Sequence, residues 1–383
     1  MRVLITDGNE RAALAAARSL VAAGHDVYAA APERFSLAGA ARGVHSLLID
    51  VNPLAQPQRF VHVVGRAASR LGVDVALPIT DGSVEAILLH RGELPERVLL
   101  PFPDLAAYRA ASDKAAVLPY AKAAGLDVPE TRLLDSPEAD VPEPGFFPAV
   151  LKAHRSVVPL AWANGPRLKP PVAFVQHSDA FRRELSRFSP EAFPVLAQRL
   201  VRGTGEGLFL LRWDGRIVAS FAHRRLREKP PQGGVSVYRE SIEPPPELLA
   251  AGVRLLDALD WRGVAMIECK RDSETGRHVL MEINGRFWGS LQLAIDAGVD
   301  FPALLLACLS GATPLGPTAY RVGIRGRWFW GELDHLYLRR GSRLSALAEV
   351  LRFRPGCEHE DVWRLRDPGP FVVESLRRVG LLR

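Results

Sequence analysis

The stretch 264–288 constrains this chain more than any other. Two apolar runs, VAMIECK at 264–270 and VLMEINGRFW at 279–288, flank a polar segment at 272–276 that ends in glycine. Strand-like runs around such a turn predict a β-hairpin. Glu282 and Asn284 are two residues apart, so both side chains leave one face of the second strand. With the loop over 272–276, Arg271 pairs with Arg277, and Glu268 falls diagonally across from Glu282 on that same face. Val279, Met281 and Ile283 occupy the other parity as core, and Leu280, Glu282, Asn284 and Arg286 line the opposite face. A Glu and an Asn on a strand are often only its solvated face. Here three oxygen donors converge next to a fixed arginine, which is a donor set for Mg²⁺ or Mn²⁺.

The hairpin, and above all MEINGRFWGSLQLAIDAGVDFP at 281–302, resembles the ATP-grasp superfamily, in its carboxylate–amine ligase and carbamoyl-phosphate-synthase-like branch. That resemblance implies that Glu268, Glu282 and Asn284 hold Mg²⁺ (or Mn²⁺) and that Arg286 contacts the transferred phosphoryl group or an acyl phosphate. It extends over most of the chain. An N-terminal α/β domain at 1–103 is expected to precede an ATP-grasp domain at 104–318. Within the latter, 149–200 forms a small lid lobe and 201–318 a large lobe with the metal hairpin. An Arg- and Trp-rich appendage at 319–383 follows, with GRWFWGELDHLYLRR at 326–340 read as helical.

The expected fold class is mixed α/β and α+β: a Rossmann-like parallel-sheet domain followed by a two-lobed ATP-grasp fold. The opening supports the first half. RVLIT at 2–6, a helical stretch at about 10–23, DVYAAA at 26–31 and GVDVALPIT at 72–80 alternate short apolar strands with helix, the pattern of a parallel sheet. The first turn, TDGNE at 6–10, lacks Gly-x-Gly-x-x-Gly, which argues against a nicotinamide cofactor. Asp7 and the loop at 80–83 sit at strand C-termini, either as ligand-facing loops or as caps of the following helices. A helix containing AASDKAAVLPYAKAAGL spans 110–126, and prolines at 137, 142, 144 and 148 mark a loop before the strand AVLK at 149–152.

The ATP-grasp resemblance also assigns a nucleotide site. Lys114 in SDK and Lys152 ending PAVLK are implied phosphate cations. In PVLAQRLVRGTGEG at 194–207, Gln198 is implied to approach the adenine amino group. The backbone of Leu200 and Val201 then reads the base, and Glu206 accepts from ribose hydroxyls. Arg227 and Lys229, before the Pro-Pro turn of REKPPQGG, are implied contacts to phosphate or acyl phosphate. After Lys152 the chain reads AHRSVVP where many relatives carry a glycine-rich lid, so closure on phosphate would fall to His154, Arg155 and Ser156.

The 383 residues include 49 basic and 43 acidic side chains, a formal charge of +6. The excess suits anionic ligands, but it is dispersed, with no dense basic block interleaved with aromatics, so nucleic acid is not an expected partner. No apolar run reaches 18 residues, and the chain opens directly into a strand without a leader-like segment, so neither a membrane span nor secretion is expected. Three widely spaced cysteines support neither a disulfide framework nor a zinc cluster, consistent with the cytoplasm. The expected activity is ADP-forming ligation: ATP with Mg²⁺ activates a small-molecule carboxylate as an acyl phosphate, which an amine then displaces. The alternatives are carbamoyl-phosphate-synthase-like activation of bicarbonate or carbamate, and a non-catalytic ATP-binding scaffold. Homo-oligomerisation stays open, since oligomeric state is not legible in the chain.

Overall fold

A computed structural model describes residues 1–159, 167–168, 170–231, 233–312, 319–338 and 356–382. Its first layer is a parallel sheet of β1 (Arg2–Ile5), β2 (Asp26–Ala31), β3 (Val44–Leu48) and β4 (Val75–Leu77), ordered β3-β2-β1-β4. Both β2 and β4 run parallel to β1, with Val3 opposite Val27 on one side and Val75 on the other. The alanine run of α1 (Arg11–Ala22) lets that helix lie close on its neighbours and buries Ala12 through Ala17. Helices α2 (Pro57–Leu71) and α3 (Asp81–Leu89) complete this layer, and the Thr80 hydroxyl caps α3 by accepting from the Ser83 amide.

The helix expected over 110–126 is two helices, α4 (Leu105–Ser112) and α5 (Val117–Ala123). Asp113 causes the break, because its carboxylate accepts from the amides of Ala115 and Ala116 and so competes with helical bonding. Lys114 therefore sits in a turn, where its amide donates to the His154 carbonyl at 2.7 Å.

The second sheet is antiparallel, ordered β5-β10-β6-β9. It comprises β5 (Thr131–Leu134), β6 (Ala149–Ala153), β9 (Val172–Val175) and β10 (Val195–Arg199). Between β6 and β9, the short pair β7 (Val158–Pro159) and β8 (Arg167–Leu168) forms a separate ladder. Helix α6 (Ser178–Leu185) covers one face through Phe181 and Leu185, against Phe146, Leu151 and Val195.

The third sheet has seven strands, ordered β15-β14-β11-β12-β13-β16-β17. These are β11 (Gly203–Trp213), β12 (Arg216–Lys229), β13 (Val235–Ile242), β14 (Gly263–Asp272), β15 (His278–Asn284), β16 (Arg325–Arg327) and β17 (Glu358–Glu360). Helices α7 (Pro246–Ala258), α8 (Leu291–Ala297) and α9 (Phe301–Leu309) pack against it. One continuous cluster joins Leu14 and Leu20 of α1 to Phe209, Trp288 and Leu305, so the first layer and the large sheet share a core.

The C-terminal region is more than a helical appendage. Its strands β16 and β17 complete the large sheet, and α10 (Phe329–Leu338) packs on β12 and β13. Buried ion pairs fix it: Glu332 with Arg227 and Arg327, Glu358 with Arg327, and Asp361 with Arg239 and Arg11. The remainder of the expected helical segment, 339–340, lies outside the described residues. No single helix among the described residues is long and apolar enough to cross a membrane.

Candidate active site

The hairpin of β14 and β15 forms with a register different from the sequence expectation. Arg271 faces His278 rather than Arg277, Cys269 faces Leu280, and Glu268 faces Glu282, which leaves Met281 as the extra residue of a β-bulge. The bulge changes parity along β15. Leu280 turns into the core at 1% exposure, while Met281 and Glu282 both line the cleft. The two carboxylates thus stand directly across from each other rather than diagonally. The bulge also frees the Met281 carbonyl, which accepts from Lys152 Nζ at 3.1 Å.

Around this pair the charges alternate. Lys114 Nζ lies 3.3 Å from Glu282 Oε2 and donates to the Ser156 hydroxyl at 3.0 Å. Asn284 Nδ2 donates to Glu282 Oε1 at 3.1 Å, and Arg286 reaches Asn284 Oδ1 at 3.3 Å and Asp81 Oδ2 at 2.9 Å. From β12, Arg225 pairs with Glu268 at 2.6 Å and with Glu228 at 2.9 Å. Burial by itself would push the Glu282 carboxyl up, but Lys114, Lys152 and the Asn284 amide outweigh it and hold the group at about 2. Glu268 is raised, by burial and then by repulsion from Glu282, against the pull of Arg225. Burial is the main cause that lowers Lys152 to about 8, with Lys114 adding to it and the two glutamates opposing it. Asp81, although buried, is held below the usual carboxylate range by Arg286, and Tyr108 donates to its other oxygen at 3.1 Å.

Three cavities meet end to end here. One of about 200 Å³ lies between the four-stranded and the seven-stranded sheets, lined by Val150, Lys152, Gln198, Leu200, Val201 and Met281 among others. A second, of about 430 Å³, contains Lys114, Lys152, Glu268, Glu282, Asn284 and Arg286 and shares Lys152 and both glutamates with the first. A third, of about 440 Å³, opens at the C-terminal edge of the parallel sheet and shares Asp81 and Ser156 with the second. The structure thus brings together nine of the twelve residues singled out from sequence. Gln198 is buried and donates to the Thr131 hydroxyl at 3.0 Å, the Leu200 amide donates to the Pro148 carbonyl at 2.8 Å, and the Val201 carbonyl accepts from Lys270 at 3.0 Å.

The other three lie elsewhere. Glu206 is buried on the far side of β11 and bonded to His278 Nε2 at 2.9 Å, because strand alternation turns its neighbour Gly205 to the cleft instead. Arg227 pairs with Glu332 and Lys229 with Asp334, both on α10. Register shifts between Arg225 and Arg227 and between Arg227 and Glu228 aim these side chains away from the cleft and leave Arg225 and Glu228 facing it. Arg225 stands two residues before Arg227 in the sequence, and bulges carry no sequence signal that separates the two. Asp7 proves to be a fastener. Its carboxylate accepts from the amides of Ile79 and Thr80 and from the Ser83 hydroxyl, tying the end of β1 to the turn into α3.

Residues 209–329 match the family model described as ATP-grasp in the biosynthetic pathway with Ter operon. Among solved structures, N5-carboxyaminoimidazole ribonucleotide synthetase from Thermus thermophilus superposes with a TM-score of 0.61 at 19% identity, covering 84% of this chain and 81% of that one. The chain thus shares the fold of that synthetase, and its 209–329 segment matches an ATP-grasp model. The L-amino acid ligase from Bacillus licheniformis superposes on it with a TM-score of 0.61 at 14% identity, over 82% of this chain and 75% of that one. For Rhizobium etli pyruvate carboxylase the TM-score is 0.60 at 18% identity, and 82% of this chain spans only 28% of that larger protein. Comparison with curated proteins gives no match.

As a donor set, the Glu268, Glu282 and Asn284 side chains suit a hard divalent cation. Two half-buried carboxylates facing each other repel, as the raised Glu268 records, and a cation between them would relieve that repulsion.

Proposed function

We propose that this chain is an ATP- and Mg²⁺-dependent ligase that activates a small carboxylate as its acyl phosphate and joins it to an amine, forming ADP and phosphate. The observation that carries the reading is the run of three cavities with fixed cations and facing carboxylates at the middle one. The first cavity offers Val150, Val172, Phe174 and Met281 for a purine to pack on, with the Leu200–Val201 segment also in its lining. Lys114 and Lys152 hold the phosphates. Glu268, Glu282 and Asn284 hold Mg²⁺, which when bound neutralises charge on the triphosphate.

Phosphoryl transfer asks for position and electrostatics more than covalent help from the protein. A carboxylate oxygen attacks the γ-phosphorus as the bond to the ADP oxygen breaks. Arg286 stands beside the charge that develops, aimed by Asp81 and Asn284. The amine then attacks the acyl carbon, the carbon–oxygen bond to phosphate breaks, and the nitrogen releases its surplus protons to solvent. Arg225 and Glu228 complete the cleft wall, although neither was assigned a role from sequence.

Product analysis tests this reading. A panel of amino acids and other small carboxylates, with and without amines, should show ADP and inorganic phosphate whose release depends on the carboxylate, and amide only when an amine is added. Consistent AMP and pyrophosphate would overturn acyl-phosphate chemistry. Bound ATP with no turnover across the panel would favour a scaffold.

A further inference from the structure

Beyond the phosphate cleft, the third cavity has a chemistry of its own. Its walls are Ile49, Val51, Leu54 and Phe60 from the first layer and Val157 from the segment after Lys152. Among the described residues lining it there is no Lys or Arg, while three carboxylates are present: Asp7, Asp50 and Asp81. Asp7 is committed to holding the β1 and β4 turns, and Asp81 to Arg286 and Tyr108. Asp50, just after β3, is exposed. The cavity reaches the phosphate cleft through Asp81 and Ser156, and Ser156 is also the partner of Lys114. A ligand seated here therefore extends one end toward Arg286.

An anion would lose hydration in this cavity and meet three carboxylates and no Lys or Arg, a cost that the neutral Asn52, Thr80 and Ser156 side chains offset only in part. An ammonium would find charge of the opposite sign, and an apolar body would find the walls it needs. We propose that this cavity binds the amine substrate, and that the substrate is a primary amine carrying a branched aliphatic or single-ring body, without a phosphate group. The volume of about 440 Å³ lies within the range of small-molecule pockets. The inference rests on the ligase reading for the word substrate, but the preference for apolar amines rests on the cavity alone. It also gives the segment after Lys152 a role. Val157 is buried at 6% exposure and closes the pocket where the expected phosphate lid lacks glycines.

The test is calorimetric titration of the full chain without nucleotide. Phenethylamine and isoamylamine are compared with 3-phenylpropionate, isovalerate and ammonium chloride. Both amines should bind saturably, with the two carboxylates and ammonium at least tenfold weaker. Leu54→Trp fills the cavity and should weaken amine binding tenfold or more at an unchanged melting temperature. Asp50→Asn, altering an exposed partner, should weaken it roughly threefold. Carboxylates binding as tightly as amines, no heat from either amine, or Leu54→Trp binding like wild type in a folded protein would each overturn the proposal. If Leu54→Trp does not fold, the wild-type ranking of amine over carboxylate decides. Amine binding without carboxylate-dependent ADP release leaves the pocket standing and removes the ligase reading. ADP release with no amine binding removes the pocket alone.

Discussion

Lys152 is the residue whose charge depends most visibly on its surroundings. Its folded value of about 8 lies below the ordinary 10.5, chiefly through burial. Between those two values the unfolded chain holds the proton more tightly, so the ligand-free protein gains stability from this group as pH rises through that window. Affinity for ATP moves the other way, because a neutral Lys152 no longer attracts phosphate. We expect the dissociation constant for ATP to rise roughly tenfold between pH 8 and 9.5, and Lys152→Arg to flatten that slope. Titration of ATP at fixed ionic strength checks both. Glu282 is the opposite case, a half-buried carboxyl held ionised at about 2 by two lysines and an amide. Glu282→Gln keeps the shape and removes the charge. ADP formation should fall by about a hundredfold or more, measured in a coupled assay on folded protein, and unchanged turnover would make the hairpin structural.

At the scale of elements, β12 decides which arginine serves the cleft. Its two register shifts leave Arg225 against Glu268 and turn Arg227 to the fully buried Glu332 of α10. Substituting the two separates chemistry from stability. Arg225→Met should lower turnover by about a hundredfold, since it unmasks repulsion between Glu268 and Glu282. Arg227→Met leaves a buried carboxylate short of a partner and should cost about 3 kcal/mol of stability, with kcat/KM of the folded enzyme changed only a few-fold. Chemical denaturation and steady-state kinetics on both variants distinguish them. The reverse pattern would mean that the sequence-based assignment of Arg227 to phosphate was correct.

For the whole molecule, the cleft is assembled from all three sheets. Asp81 follows the parallel sheet, Lys152 lies within β6 of the four-stranded antiparallel sheet, and the carboxylates stand on the seven-stranded one. A ligand bridging these parts stabilises only the assembled state. ATP with Mg²⁺ at a hundredfold excess over its dissociation constant should add about 2.7 kcal/mol to the stability, read as an upward shift in melting temperature. NAD should add nothing. Equal shifts from both nucleotides would count against the site. The C-terminal strands belong to the same assembly, since Asp361 bonds Arg11 of the first layer and Arg239 of the large sheet.

What the sequence determined by itself was local. Alternation at 279–284 predicted a strand with Glu282 and Asn284 on one face, apolar runs at 2–6, 26–31 and 72–80 predicted a parallel sheet, and the missing glycine fingerprint argued against a dinucleotide. These features depend on neighbours in the chain, and the structure keeps the strands and the sheet. Register, and the side each residue faces, came from contacts between distant segments. One extra residue at Met281 moves Leu280 into the core and sets Glu268 squarely against Glu282, and two shifts on β12 exchange Arg227 for Arg225. A bulge is stabilised by the partner strand and by what packs on it, such as Lys152 on the Met281 carbonyl 129 residues away. Glu206 failed for a related reason: its side of the sheet is fixed by pairing with β14, and its partner His278 comes from a strand that the local sequence cannot see. Parity can be read from a few residues, but the point where parity breaks is set by contacts between distant parts of the chain.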